Sequence, residues 1–249
     1  MLKDFYDDKT EAIVDISQFY GEQKHIVDKC LILFSRRIYE YILEGYECEQ
    51  ISRLGSCTGD IPVYAFEYKG EKIGFYLSMI GSALASSLCY EVHWQTGATK
   101  FIMFGSCGSL DADATRGRYI IPTESYRGEG ASRYYAPDSD YIEIKGADRL
   151  EEIFGEIKAP YVKGRVWTTD SMLRETKGLV AARKEEGCIA VEMEVAGVQA
   201  LCDFYRLELY DFLEAGDVLA ESGYEVEGLH AANHDIGKFL IALDIAERI

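Results

Sequence analysis

Two carboxylates, Glu192 and Glu194, stand one residue apart in an otherwise apolar stretch, Ile189-Ala190-Val191-Glu192-Met193-Glu194-Val195-Ala196-Gly197. Residues 188–191 have the composition of a short buried strand. From Glu194 onward, Val195, Val198, Leu201, Cys202 and Tyr205 recur at helical spacing. The two acids therefore fall where a strand hands over to a helix, at the end of a central sheet. Carboxylates in such surroundings are costly unless something hydrogen-bonds them. Either they are first-turn acids favoured by the helix dipole, or they await a polar ligand, for which vicinal hydroxyls are the obvious donors.

The rest of the chain supplies the sheet. One helix is expected over residues 24–44, with Ile26, Cys30, Leu31, Phe34, Ile38 and Ile42 on its apolar face and Gly45 closing it. Two strand-like runs, 62–68 and 72–77, flank Lys69-Gly70 as a hairpin. Gly81-Ser82 opens a helix that reaches Thr96 and stops at Gly97. Residues 100–104 form a buried strand that runs into a glycine turn, Gly105-Ser106-Cys107-Gly108. Strand-like and helical runs then alternate: 119–121, 147–157, 161–167, 177–186, the acidic junction with its helix to Arg206, 207–213, and a last helix over 231–248. That alternation marks an α/β fold, a three-layer α/β/α sandwich around a mixed, twisted sheet. A chain of 249 residues, 48% hydrophobic, suffices for a single domain over 1–249 with a full core.

Charge narrows the partners. With 26 basic against 43 acidic residues the formal net charge is −17. Nucleic acid and anionic membranes both need positive surface, so neither is expected. Any anion site must be built locally, against the overall field. Seven cysteines without a CxxC read as scattered reduced thiols. The N-terminus has no apolar signal region and no run approaches membrane-spanning length, so a cytoplasmic protein is expected.

Several residues could carry chemistry. The amides of residues 105–108 could converge on an anion with the Ser106 hydroxyl beside them, or simply turn the chain. Ser82 could cap a helix, Asp217 could shape a loop, and Met172 with Leu173 could be core. Cys107 reads as a small filler. Four histidines offer only His230 and His234 at helical spacing, a polar helix start rather than a metal site; no metal is expected. Arg127, Arg133, Tyr134 and Tyr135 make a polar, aromatic loop that could border a cleft or a subunit contact.

Val191-Glu192-Met193-Glu194 followed by Ala196-Gly197 resembles the ribose-binding signature of the purine nucleoside and uridine phosphorylases. Phe104-Gly105-Ser106-Cys107-Gly108-Ser109 resembles that family's phosphate turn. Ile120-Ile121-Pro122-Thr123 with Arg127-Gly128-Glu129-Gly130-Ala131-Ser132 resembles the strand and loop after it, and Thr168-Thr169-Asp170-Ser171 the segment leading to the base pocket. These motifs stand in the family's order over residues 55–217. The resemblance implies cleavage of the N-glycosidic bond of a purine nucleoside by phosphate, giving free base and ribose 1-phosphate. Phosphate is then a co-substrate, no further cofactor is implied, and the assembly is a homo-oligomer, a dimer or a hexamer built as a trimer of dimers. Glu194 would hold the ribose hydroxyls, Met193 would pack on the sugar and Glu192 would support them. Gly105, Ser106 and Ser82 would bind phosphate, and Thr169 and Met172 would border the base. Asp217 would protonate purine N7, help that is typically worth ~10²–10⁴-fold in rate.

The chain departs from the family at the anion site. Met103 stands where the phosphorylases usually carry an arginine, and residues 15–21 offer no Gly-Asp-Pro turn. Arg53 is the arginine left for phosphate, donated across a subunit interface, unless it is only a surface residue. A nucleosidase using water, or a nucleoside-binding protein without turnover, are the alternatives.

Overall fold

The computed structural model describes residues 5–220 and 223–249. After one helical turn, α1 (Ser17–Tyr20), the chain enters a buried strand, β1 (Lys29–Leu33), and only then a helix, α2 (Arg36–Gly45). The single helix expected over 24–44 is thus corrected to a strand and a helix. Cys30, Leu31, Ile32 and Leu33 have zero exposure, and an apolar run buried on both faces suits a parallel strand as well as a helix. Ser35 marks the change, its hydroxyl accepting the Ile38 amide to cap α2.

β2 (Cys48–Leu54), β3 (Ile61–Tyr68) and β4 (Glu71–Leu77) form an antiparallel meander, with Lys69-Gly70 at the second turn. α3 (Ser82–Thr96) ends at Gly97, whose φ of 83° disfavours any side chain. Next come β5 (Lys100–Ser109), α4 (Ala112–Thr115), β6 (Tyr119–Gly128), α5 (Ser132–Tyr135), β7 (Tyr141–Glu143) and α6 (Ala147–Ile157). β8 (Tyr161–Thr169), α7 (Lys177–Glu185), β9 (Cys188–Glu192), α8 (Val195–Tyr205) and β10 (Glu208–Ala220) continue the alternation. β11 (Gly223–Glu225), α9 (Leu229–Asn233) and α10 (Ile236–Ala246) end it. The last helix, expected as continuous, breaks after Asn233, because the Asp235 side chain takes the Gly237 amide and caps α10 separately.

The strands join one mixed sheet in the order β11-β10-β6-β8-β9-β5-β1-β4-β3-β2, with β7 on β6. β10 also pairs with β5, so β5, β10, β6, β8 and β9 close into a ring of neighbours. Alternate residues of a strand face opposite sides. Cys30, Ile32, Phe101 and Met103 pack in the layer of α3 and α8, whereas Leu31, Leu33, Ile102 and Phe104 pack with α2, α6 and α10. Helices on two faces of a mixed sheet are the layered architecture expected.

One local expectation fails. Residues 105–108 are not a turn: β5 runs straight through them, in register with Leu213, Glu214, Ala215 and Asp217 of β10. Gly108 is needed for space, since a Cβ there would lie 2.5 Å from Leu219 Cδ1. On its other edge β5 loses β1 beyond Phe104 and gains β9 only at Gly108. The gap between those two neighbours opens into a cavity.

Candidate active site

The cavity, about 240 Å³, is walled by the start of α2, the far half of β5, the β9–α8 junction, β10, α9 and α10. Ligands of α/β sheets bind at such carboxyl ends of strands. Glu192 closes β9. Its carboxyl accepts the amides of Glu194 at 2.5 Å and Val195 at 2.8 Å, and the Thr168 hydroxyl. Both amides open α8, so Glu192 is the acid that serves the helix start. Glu194 accepts the Gly81 amide at 2.6 Å from the neighbouring α3. Burial raises the pKa of both, and Glu194 raises that of Glu192 further.

β10 brings two more acids. Asp211 is fully buried, pairs in register with Met103, and has no hydrogen-bond partner on either carboxyl oxygen. Asp217 follows a bulge at Gly216, which shifts the register between Ala215 and Asp217; bulges re-aim side chains in this way. Tyr224 lies beside Asp217, and burial raises this carboxyl above its ordinary range. Glu175, just past a 3₁₀ turn at Met172–Arg174, is pushed up to about 7 by burial and by the charge of Asp217. The one lysine of the lining, Lys238, donates to Glu214 at 2.6 Å and to the Ala232 carbonyl. Ser106 donates to the side chain of Asn233.

The sequence model of the phosphorylase superfamily matches residues 38–225, a span that holds the β5, β9 and β10 walls. This chain belongs to the phosphorylase superfamily. It is 26% identical over 205 residues to the DeoD-type purine nucleoside phosphorylases of Bacillus cereus (strain ZK / E33L) and Bacillus thuringiensis (strain Al Hakam), covering 79% of this chain and 84% of each relative. Two solved structures share the fold. An AMP nucleosidase from Bacteroides thetaiotaomicron VPI-5482 aligns with a TM-score of 0.69 at 18% identity, over 89% of this chain and 88% of its own. The 5′-methylthioadenosine/S-adenosyl homocysteine nucleosidase of Campylobacter jejuni aligns with a TM-score of 0.71 at 16% identity, over 90% of this chain and 100% of its own. The chain is an enzyme of this superfamily.

Of the residues that the resemblance to the phosphorylase superfamily singled out, Glu192, Met193, Glu194, Gly105, Ser106, Met172 and Asp217 all line the cavity. Others do not. Ser82 has zero exposure and donates to the Met193 carbonyl at 3.0 Å. A Cβ on Gly197 would lie 2.6 Å from Ser82 Cβ, so this serine fastens α3 to the junction from behind. It is not the N-cap either, because the helix starts at Ser82 itself. Thr169 is buried and takes the Ser171 amide at 3.3 Å, shaping the loop rather than the lining. Arg53 sits on β2 at the sheet edge, exposed and paired with Asp60 at 3.0 Å, away from this chain's cavity. Arg127 is spent inside its loop, donating to Ser132 Oγ at 2.8 Å and the Pro137 carbonyl at 2.6 Å.

Residues 15–21 do not reach the cavity. The segment that enters it after β1 is Phe34-Ser35, with Ile38 behind. Ser35 Oγ lies 2.8 Å from His234 Nδ1, and the His230 ring packs edge-on to His234 at 4.9 Å. Asp211, Glu175, Lys238 and Asn233 were missed in sequence. A lone acid within Leu209-Tyr210-Asp211-Phe212-Leu213 and a lone lysine within Ile236-Gly237-Lys238-Phe239-Leu240 were signals open to use; Glu175 and Asn233 offered none.

Proposed function

We propose that this protein cleaves the N-glycosidic bond of a purine nucleoside, and that water rather than orthophosphate is the nucleophile. One observation carries the choice. Among the described residues the cavity is lined by Glu175, Glu192, Glu194, Asp211 and Asp217 but by a single cation, Lys238, already ion-paired with Glu214. A phosphate dianion entering there meets acids in place of cations and, among the described residues, no guanidinium to form bidentate bonds. The same acids favour a ribooxocarbenium-like transition state, whose positive charge develops between them.

In this mechanism Glu194 accepts hydrogen bonds from the ribose 2′- and 3′-hydroxyls, and Glu192 holds the junction that positions it. Met193 packs against the sugar. Asp217, whose proton affinity burial raises, delivers a proton to the imidazole nitrogen of the departing purine. The nucleosidases that share the fold and the absence of an arginine at Met103 agree with hydrolysis.

Phosphorolysis is the second reading, favoured by the exposed guanidinium of Arg53 on the sheet edge and by the purine nucleoside phosphorylase relatives. It requires a second copy of the chain to bring Arg53 to the cavity. A phosphate titration of inosine and adenosine cleavage separates the two, with free ribose and ribose 1-phosphate counted apart. Free ribose at a rate independent of phosphate is expected; saturable formation of ribose 1-phosphate would overturn hydrolysis.

A further inference from the structure

Asp211 is a polar group of the cavity that nothing among the described residues satisfies. It lies midway along β10, and its same-face neighbours Leu209 and Leu213 are core residues. It has zero exposure and lines the cavity, and both its oxygens lack partners. Buried polar groups are nearly always bonded, and an apolar side chain at this place would remove the desolvation cost altogether. The position also has a direction. Asp211 is influenced by Glu192 and Glu194, the sugar-side acids, whereas Asp217 is influenced by Tyr224 and acts on Glu175. Its register partner on β5 is the apolar Met103, which also lines the cavity and offers it no hydrogen bond.

We propose that Asp211 binds the attacking water and takes its proton as the oxygen bonds to C1′ of the sugar. This rests on the hydrolytic function proposed above. The water O–H bond breaks toward an Asp211 oxygen while the O–C1′ bond forms. The C1′–N bond breaks, its electron pair goes to the base, and Asp217 protonates the base. The products are free ribose and free purine.

The groups facing Asp211 shape this role. Glu192 on β9 and Glu194 at the head of α8 both raise its proton affinity, on top of burial. Cys107 on β5 is a neutral thiol, pushed well up by burial and by nearby acids including Asp211. The Lys238 amine is the nearby cation and stays with Glu214. A carboxylate that binds protons this firmly is a strong acceptor once ionised.

The test compares wild type with Asp211→Asn, measuring free ribose, ribose 1-phosphate and thermal melting in each. The expected result is a loss of about a hundredfold or more in kcat for free ribose, with KM for nucleoside changed by less than about threefold. The melting temperature should not fall, because Asp211 makes no hydrogen bond that asparagine would break. Undiminished hydrolysis in Asp211→Asn would overturn the role of Asp211 and leave hydrolysis standing. Lost activity with a lowered melting temperature would overturn it in favour of a structural part. A wild type that yields ribose 1-phosphate alone would overturn hydrolysis and this role together.

Discussion

Glu192 and Asp211 line the same cavity, both end up buried in neighbouring parts of one sheet, and both have carboxyl groups displaced upward by burial. They differ in what they touch. Glu192 receives two backbone amides and a threonine hydroxyl; Asp211 receives nothing. An acid at a helix start finds donors that would otherwise be orphaned, so its burial is offset locally and it holds the junction rigid. An acid in mid-strand has flanking amides already engaged in the sheet, so only a ligand can satisfy it. The two acids are thus told apart by their donors, not by their burial.

Glu194, which takes one amide and leaves capacity for ligand, is the strongest probe of that contrast. Glu194→Gln should lower kcat/KM by about 10²–10³-fold, since two charge-assisted bonds to ribose hydroxyls are weakened, each worth about 1.5–3 kcal/mol. The melting temperature should hold, because the amide oxygen still accepts Gly81. Steady-state kinetics on inosine check this; unchanged kcat/KM would remove Glu194 from the sugar site.

Glu192→Ala should do the opposite, costing stability more than chemistry. Two amides and a hydroxyl would be left unpaired in a buried place, a loss of about 2–3 kcal/mol. Urea unfolding measures it. A variant as stable as wild type would break the distinction between the two acids.

Met103→Arg sharpens the other side. A guanidinium here would stand in register with Asp211 and pair with it first. Phosphate affinity should therefore rise by no more than about tenfold in the single variant. It should rise further when Asp211→Asn is added and the guanidinium is freed. Equal gains with and without Asp211→Asn, in the phosphate titration, would mean that Asp211 does not face residue 103.

The smallest effect concerns Glu175. Its folded pKa of about 7 lies above the ordinary value of 4.5, so the folded state binds more protons between those limits. Stability from this group is present below pH 4.5 and declines as pH rises toward 7. Because the residue is only partly buried the effect is modest, a melting shift of about 2 °C between pH 5 and 8. Glu175→Gln should flatten that slope; an identical slope in the variant would sink the assignment.

Local signals carried much of the fold. The hairpin around Lys69-Gly70, the helix from Ser82 to Thr96 and the strand-to-helix junction at Glu192 and Glu194 were all legible, because each is set by periodicity or by a glycine within a few residues. The β9–α8 wall of the cavity was legible for the same reason, being built from adjacent positions in one segment. Residues 29–33 were not, since an unbroken apolar run fits strand and helix alike until β4 and β5 flank it. Nor was the strand through residues 105–108, whose glycines suggest a turn until β10 pairs along them. The tertiary structure alone decided the opposite wall of the cavity. Ser106 meets Asn233 across 127 residues and Ser35 meets His234 across 199, while Met103 and Asp211 meet only through strand register. Sequence determines what each segment can become; which distant side chains share a buried space, and which acid is left without a donor, follows from the pairing of whole strands.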